Sequence, residues 1–265
     1  MVFMSKNYTS VIAELYDYCS FFSKFRNESN YARDFYLPII DKYHFDNVLE
    51  LGTATGNLTI PIAEKGISID SVDISKDMHS IVKEKIANNP IRLEDNINLI
   101  TDDVFNMVLS RKYDMVIMPD NFLSVMSSYE EQSKLIELVG KILNTNGILI
   151  FDVSPPNQFL IEGKNHNFIT RTITPSKQVY IVKCEIVIDE KKQLNYQNFD
   201  ICRINNKLDI MERHKTQIIY RYLYKEEILK ILNVHNFEVL EARDEIVSGV
   251  KEYAFIVKYR GVRDE

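Results

Sequence analysis

Glu50, Gly52, Gly56 and Asp73 are the residues of this 265-residue chain whose types and spacing could do chemistry together. They fall in the run VLELGTATGNLTIPIAEKGISIDSVD, residues 48–73. Gly52 lets a backbone turn sharply off a strand, and Gly56 lets a ligand approach the main chain where a helix begins. An acid about twenty residues on can accept hydrogen bonds from ribose hydroxyls. That is the outline of a nucleoside-binding βαβ unit. The loop reads Gly52, Thr53, Ala54, Thr55, Gly56, Asn57, so it lacks the third glycine of the dinucleotide pattern G-x-G-x-x-G. Glu50, just before the turn, suits a cationic ligand better than a pyrophosphate.

The elements that must hold these residues are legible from apolar periodicity. Residues 47–153 alternate strand and helix, with strands expected near 47–52, 67–73, 97–101, 113–118 and 147–153 and helices near 57–65, 76–88 and 129–144. Such alternation argues for a parallel sheet covered on both faces. Asn146 and Gly147 read as the glycine turn that ends the last of these helices. Ahead of the sheet lies an aromatic-rich, glycine-free leader with Tyr8, Tyr16, Phe25, Tyr31 and Phe35. Apolar spacing at Val11, Ile12 and Leu15, then Phe35 and Ile39, predicts two leader helices, the second kinked or restarted near Pro38. Residues 167–220 change period, with β-branched and aromatic runs such as QVYIVKCEIVIDE separated by polar turns, and read as antiparallel strands. A helix over LYKEEILKILNVHNF and a closing strand pair over EVLEARDEI and KEYAFIVKYR complete the chain. The expected fold class is α/β: a Rossmann-like seven-stranded sheet with a helical N-terminal leader and an antiparallel β insertion between strand five and the last helix. The expected divisions are 1–46 as leader and lid, 47–154 with 221–265 as the nucleoside-binding domain, and 155–220 as the insertion covering the substrate.

Composition narrows the function classes. A net charge of −6 gives no general attraction to nucleic acid, which makes a nucleic-acid substrate unlikely on these grounds. Cys19, Cys184 and Cys202 have no metal-ligand spacing and pair unevenly, so a reducing, cytoplasmic setting is the simpler reading. His44, His79, His166, His214 and His235 have no ligand spacing either, and no metal site is expected. The N-terminus lacks a signal-like apolar core, and no run approaches the roughly 20 apolar residues that span a bilayer. A soluble, unprocessed protein with no membrane contact is expected, and a homodimer through the insertion is open.

The ordered set resembles the class I S-adenosylmethionine (SAM) dependent methyltransferases over almost the full chain. It comprises the glycine loop, Asp73 ending strand two, the pair Asp102 and Asp103 ending strand three, YDMVIMPDNFLSVM and NTNGILIFDV. In layout it is most similar to small-molecule enzymes with an inserted antiparallel sheet, of the amino-sugar N-methyltransferase and glycine N-methyltransferase type. Ala54 departs from the middle glycine of the family's first motif. The resemblance implies SAM as cofactor, S-adenosylhomocysteine (SAH) as its product, and a small-molecule acceptor. Carried over by position, it implies that Glu50 faces the methionine amino group and that Gly52, Thr53, Ala54, Gly56, Asn57 and Leu58 hold the methionyl and ribose parts. Asp73 would take the ribose hydroxyls, Ile74 and Met78 the adenine faces, and Asp103 with the Val104 amide the adenine edge. Pro119, Asp120 and Asn121 follow strand four, where the methyl donor should sit. Asp120 could steer or deprotonate an amine, Asn121 could orient a hydroxyl, and Tyr16 resembles a leader tyrosine that closes over the donor. Blander readings stand beside these: Glu50 as a strand-end carboxylate satisfied by backbone, Met78 and Tyr16 as core, Asp120 and Asn121 as an ordinary turn. Some amino-sugar relatives carry a loop histidine where this chain has Val125, which argues against a histidine base.

The expected function is methyl transfer to nitrogen or oxygen of a small molecule. A non-enzymatic SAM or nucleoside binder remains open through Ala54 and the missing loop base. An NAD-dependent oxidoreductase has only the strand, turn, helix and distant acid in its favour. Ser154, Pro155, Pro156 and Asn157 read as a rigid exit into the insertion.

Overall fold

A computed structural model describes residues 9–22, 35–45, 47–154, 166–247 and 250–261. Tyr8, Phe25, Tyr31 and the Pro155 to Asn157 exit lie outside the described residues. The leader contributes α1 (Ser10–Leu15) and α2 (Leu37–Tyr43), the latter with Pro38 in its first turn, where a missing N–H costs no helical bond. Then come β1 (Asn47–Leu51), α3 (Thr59–Ala63), β2 (Ser68–Asp73), α4 (Lys76–Ala87), β3 (Ile97–Thr101), β4 (Tyr113–Met118), α5 (Tyr129–Ile142) and β5 (Leu143–Val153). The antiparallel segment is β6 (His166–Ile173), β7 (Val179–Asp189), β8 (Leu194–Ile204) and β9 (Ile210–Arg221). The chain returns through α6 (Lys225–Val234), β10 (Phe237–Val247) and β11 (Val250–Tyr259).

The seven-stranded sheet runs β10-β11-β5-β4-β1-β2-β3, parallel from β5 to β3, with β11 antiparallel to both β5 and β10. Period two sorts its side chains onto two faces. Val48, Met115, Ile117, Ile148 and Ile150 pack beneath α2, α3 and α4, while Leu49, Val116, Met118, Leu149 and Phe151 pack beneath α5 and α6. This two-sided burial explains why the strands read as nearly continuous apolar runs. A third core joins Ile12, Leu15 and Cys19 of the leader to Val182, Cys184, Phe199 and Ile201 of the second sheet. That sheet has the order β6-β7-β8-β9.

One expectation is corrected. α5 ends at Ile142 with Leu143 extended, and it is Asn146 (φ 69°), not Gly147, that takes the left-handed conformation. The turn lies inside β5, where the register with β4 slips between the Tyr113–Leu143 and Met115–Ile148 pairs. Gly147 is needed for space, since a Cβ there would lie 2.9 Å from the Asn144 carbonyl oxygen.

Arg221 joins the two sheets' supports. Its guanidinium donates to Gln132 Oε1 on α5 (2.7 Å), to Gln193 Oε1 between β7 and β8 (2.6 Å) and to Glu227 Oε1 on α6 (2.8 Å). Gln132 Nε2 returns a bond to the Arg221 carbonyl at 3.0 Å, so the buried polar groups satisfy one another. Arg221→Ala strands Glu227 and both glutamines and is expected to cost about 3 kcal/mol. Urea unfolding measures this, and a loss below about 1 kcal/mol, ordinary for a surface change, would contradict the network's role.

Candidate functional site

The site is built at the carboxyl ends of β1 to β4, where a parallel sheet leaves a crevice. Leaving β1, the chain turns at Gly52 (φ 87°), whose backbone N–H donates to the Val72 carbonyl oxygen at 2.8 Å. A Cβ at Gly52 would meet the Phe122 ring at 2.4 Å, so only glycine lets the turn after β4 close onto the turn after β1. Ala54 follows with φ 46°, a left-handed conformation that costs a non-glycine residue about 1 kcal/mol or more. Its N–H donates to Asp73 Oδ2 at 2.8 Å, while Asp73 Oδ1 accepts from the Ser75 N–H at 2.8 Å. One carboxylate thereby fixes two loops. Burial pushes the Asp73 carboxyl upward from its ordinary pKa, against the pull of the Ser75, Ala54 and Ile74 amides.

Across the crevice, Asp120 and Asn121 both adopt positive φ, 54° and 64°. Side-chain bonds hold this backbone: the Asp120 N–H donates to buried Asp152 Oδ1 at 2.9 Å, and Asn121 Nδ2 donates to Ser154 Oγ at 2.6 Å. Asn121 Oδ1 also accepts from the Ser154 N–H, and Asp152 Oδ1 accepts from the Tyr36 hydroxyl. The Tyr16 hydroxyl donates to Asp120 Oδ2 at 3.2 Å, linking leader to sheet at the end of β4.

The resulting cleft takes in about 760 Å³, part of it open to solvent. Tyr16, Gly52, Ala54, Asp73, Ile74, Met78, Val104, Pro119 and Asp120, all nominated by the sequence, line it together. Val72, Asp102, Phe122 and Val125 join them. Asp102 reaches the lining directly after β3, whereas Asp103 Oδ1 accepts from the Phe105 N–H at 2.9 Å and shapes the following turn. Asn121, Glu50, Thr53, Gly56, Asn57 and Leu58 stand behind the lining. Leu58 is core under the sheet, Thr53 is buried within the loop, and Gly56 (φ 78°) sits where a Cβ would press on Val82 at 3.1 Å. Asn57 bonds to the leader through Asp17 Oδ1 at 2.7 Å. His166 stacks on Phe168 at the start of β6. The lining contains Asp73, Asp102 and Asp120 and, among the described residues, no lysine, arginine or histidine.

Glu50 lies beneath the turn, 1% exposed, where Oε2 accepts from the hydroxyls of Thr59 and Ser71. Burial pushes its pKa up to about 8; the two hydroxyls pull the other way, and Asp73 adds to the rise. Among the described residues, no cluster of three or more His, Cys, Asp or Glu side chains is placed to hold a metal ion, and no helix is long and apolar enough to cross a membrane.

A methyltransferase domain family model matches residues 49–149. Among curated proteins, the chain is 23% identical to a putative methyltransferase, YqeM, of Bacillus subtilis (strain 168) over 146 residues, 51% of this chain and 57% of that protein. It is 23% identical to the cypemycin N-terminal methyltransferase of a Streptomyces species over 136 residues, 51% of this chain and 53% of the relative. These matches span only about half the length of the curated relatives. Among solved structures, the CcbJ methyltransferase of Streptomyces caelestis superposes with a TM-score of 0.75 at 17% identity, covering 97% of this chain and 99% of that one. A SAM-dependent methyltransferase of Clostridium acetobutylicum ATCC 824 gives 0.71 at 19% identity, with 86% and 90% covered. The similarity therefore extends through leader and second sheet as a shared fold.

Glu50 has a consequence for pH. A carboxyl whose folded pKa is raised from 4.5 to about 8 contributes its full stability below the ordinary value and loses it as pH rises through that window. Glu50→Gln, neutral at every pH, is expected to flatten the fall in unfolding free energy across the same interval, read by urea titration. An unchanged slope would contradict a protonated Glu50.

Proposed function

We propose that this chain, which carries a methyltransferase domain over residues 49–149 and has the class I SAM-dependent methyltransferase fold, transfers a methyl group from SAM to nitrogen or oxygen of a small-molecule acceptor. The observation that carries the reading is the Tyr16–Asp120 bond, 3.2 Å, closing the end of a cleft whose other wall is Asp73.

The cleft's chemistry fits SAM. Asp73 accepts backbone amides on both oxygens, and a carboxylate's further lone pairs leave it capacity for ribose hydroxyls. Ile74, Met78 and Val104 offer apolar walls for adenine, and Asp102 stands at their edge. An acidic lining favours a ligand with a sulfonium and an ammonium over one with a pyrophosphate, which is why the nicotinamide reading falls behind. Ala54 takes the conformation a glycine would take, so its presence does not favour a non-enzymatic binder.

When bound, SAM supplies an electrophilic methyl on a good leaving group, so the protein's chief task is alignment. Asp120 supplies a carboxylate at the end of β4 to draw in a cationic amine or to accept its proton. Tyr16 donates to Oδ2 and fixes that carboxylate's direction. Asn121, through Ser154, holds the strained backbone from which Asp120 projects, and acts as a positioning residue. Two proteins that share the fold, the amino pentose methyltransferase CalS10 and the sugar N-methyltransferase KedS8, support testing amines first.

Transfer of labelled methyl from SAM to a panel of amines and hydroxyl compounds tests the reading. Turnover is expected with the wild type, and Asp120→Asn should lower kcat by about 100-fold, the scale of a lost general base, with SAH affinity near wild type. No transfer to any acceptor, or an Asp120→Asn variant as fast as the wild type, would contradict it.

A further inference from the structure

Asp17 follows Tyr16 directly in the leader and makes contacts of a different kind. Its Oδ1 accepts from Thr55 Oγ1 at 2.6 Å and from Asn57 Nδ2 at 2.7 Å, the two residues that flank Gly56. Its Oδ2 pairs with Lys85 Nζ of α4 at 2.7 Å. Lys85 also donates to the Thr55 carbonyl oxygen at 2.8 Å and to Asn57 Oδ1 at 3.0 Å, so all three ammonium hydrogens have acceptors. The Asp17 and Lys85 side chains are 15% and 31% exposed, which shields the pair from solvent more than an ordinary surface ion pair.

The rest of the leader is held differently. Ile12, Leu15 and Cys19 pack into the core shared with β7 and β8, and the Tyr180 hydroxyl donates to Glu14. Those contacts join the leader chiefly to the insertion, with Met78 of α4 in the same core and Ala54 packed against it, whereas Asp17 adds directed polar bonds to the ligand loop. An apolar face alone leaves a short helix free to slide; a carboxylate with three donors in fixed directions does not.

The geometry points to Asp17 and Lys85 as positioning residues: together they seat the leader on the glycine loop and so hold Tyr16 against Asp120 over the cleft. Its functional consequence rests on the methyltransferase reading above. Release of SAH then requires this clamp to open, because Tyr16 forms the cleft's leader-side wall.

Two measurements on the full chain decide this. Hydrogen exchange of residues 10–22 in ligand-free protein reads the clamp itself, and stopped-flow SAH dissociation reads its consequence. Asp17→Asn and Lys85→Met are each expected to speed leader exchange and SAH release about tenfold, with β1 to β5 protected as before, while Lys85→Arg, which keeps the charge, stays near wild type. Unchanged leader exchange in both variants, or a loss of protection spread equally over β4 and β5, overturns the proposal. If wild-type protein binds no SAH, the methyltransferase reading falls, and leader exchange still decides the clamp.

Discussion

The Asp73 carboxylate is the constraint on which the cleft depends. It ends β2 and reaches sideways to the Ala54 N–H and forward to the Ser75 N–H, so the turn after β1 and the start of α4 share one anchor. Ala54 holds an unfavourable backbone conformation because this bond and the Val72 carbonyl over-determine the turn around it. With the turn fixed, Gly52 presents a bare Cα to Phe122, and the loop after β4 can close down. That closure brings Asp120 opposite Asp73. An acid-lined cleft at the strand ends thus follows from one acid, one glycine and the parallel order of four strands.

The second half of the site comes from outside the nucleoside fold. Tyr16 and Asp17 are consecutive, yet one bonds to Asp120 at the end of β4 and the other to Thr55 and Asn57 at the loop. Tyr36, from the other leader helix, bonds to Asp152, which in turn accepts from the Asp120 N–H. The leader therefore braces the end of β4 from two directions. The insertion sheet supplies the leader's apolar bed, and Arg221 ties the end of that sheet to α5 and α6.

Much of this was legible in the sequence because local rules decide it. Strand limits such as 97–101 and 113–118 match the structure, since each strand is bounded by turn residues; β4 is buried on both faces, while β3, at the sheet's edge, is only partly covered. Asp73 was legible from its distance to the glycines. Helix α5 was expected to run through residue 144 and instead ends at Ile142, because pairing with Tyr113 draws Leu143 into β5. What stayed hidden depends on contacts between distant segments. Glu50 is recognisable as an acid, but its burial under Thr59 and Ser71 is a packing outcome. Asp17 has no motif around it, and its partners Thr55, Asn57 and Lys85 all lie 38 or more positions away. Asp102 was readable in principle, since it follows directly on the last residue of β3, the position from which a side chain enters the crevice.

The central claim is that the cleft organised by Asp73 is built for SAM. Calorimetric titration of SAM, SAH and NAD into the wild-type chain and into Asp73→Ala tests it most directly. Micromolar binding of SAM and SAH with no binding of NAD, weakened by at least about tenfold in Asp73→Ala, is the expected result. Binding of NAD in place of SAM, or equal SAM affinity in the two proteins, would contradict it.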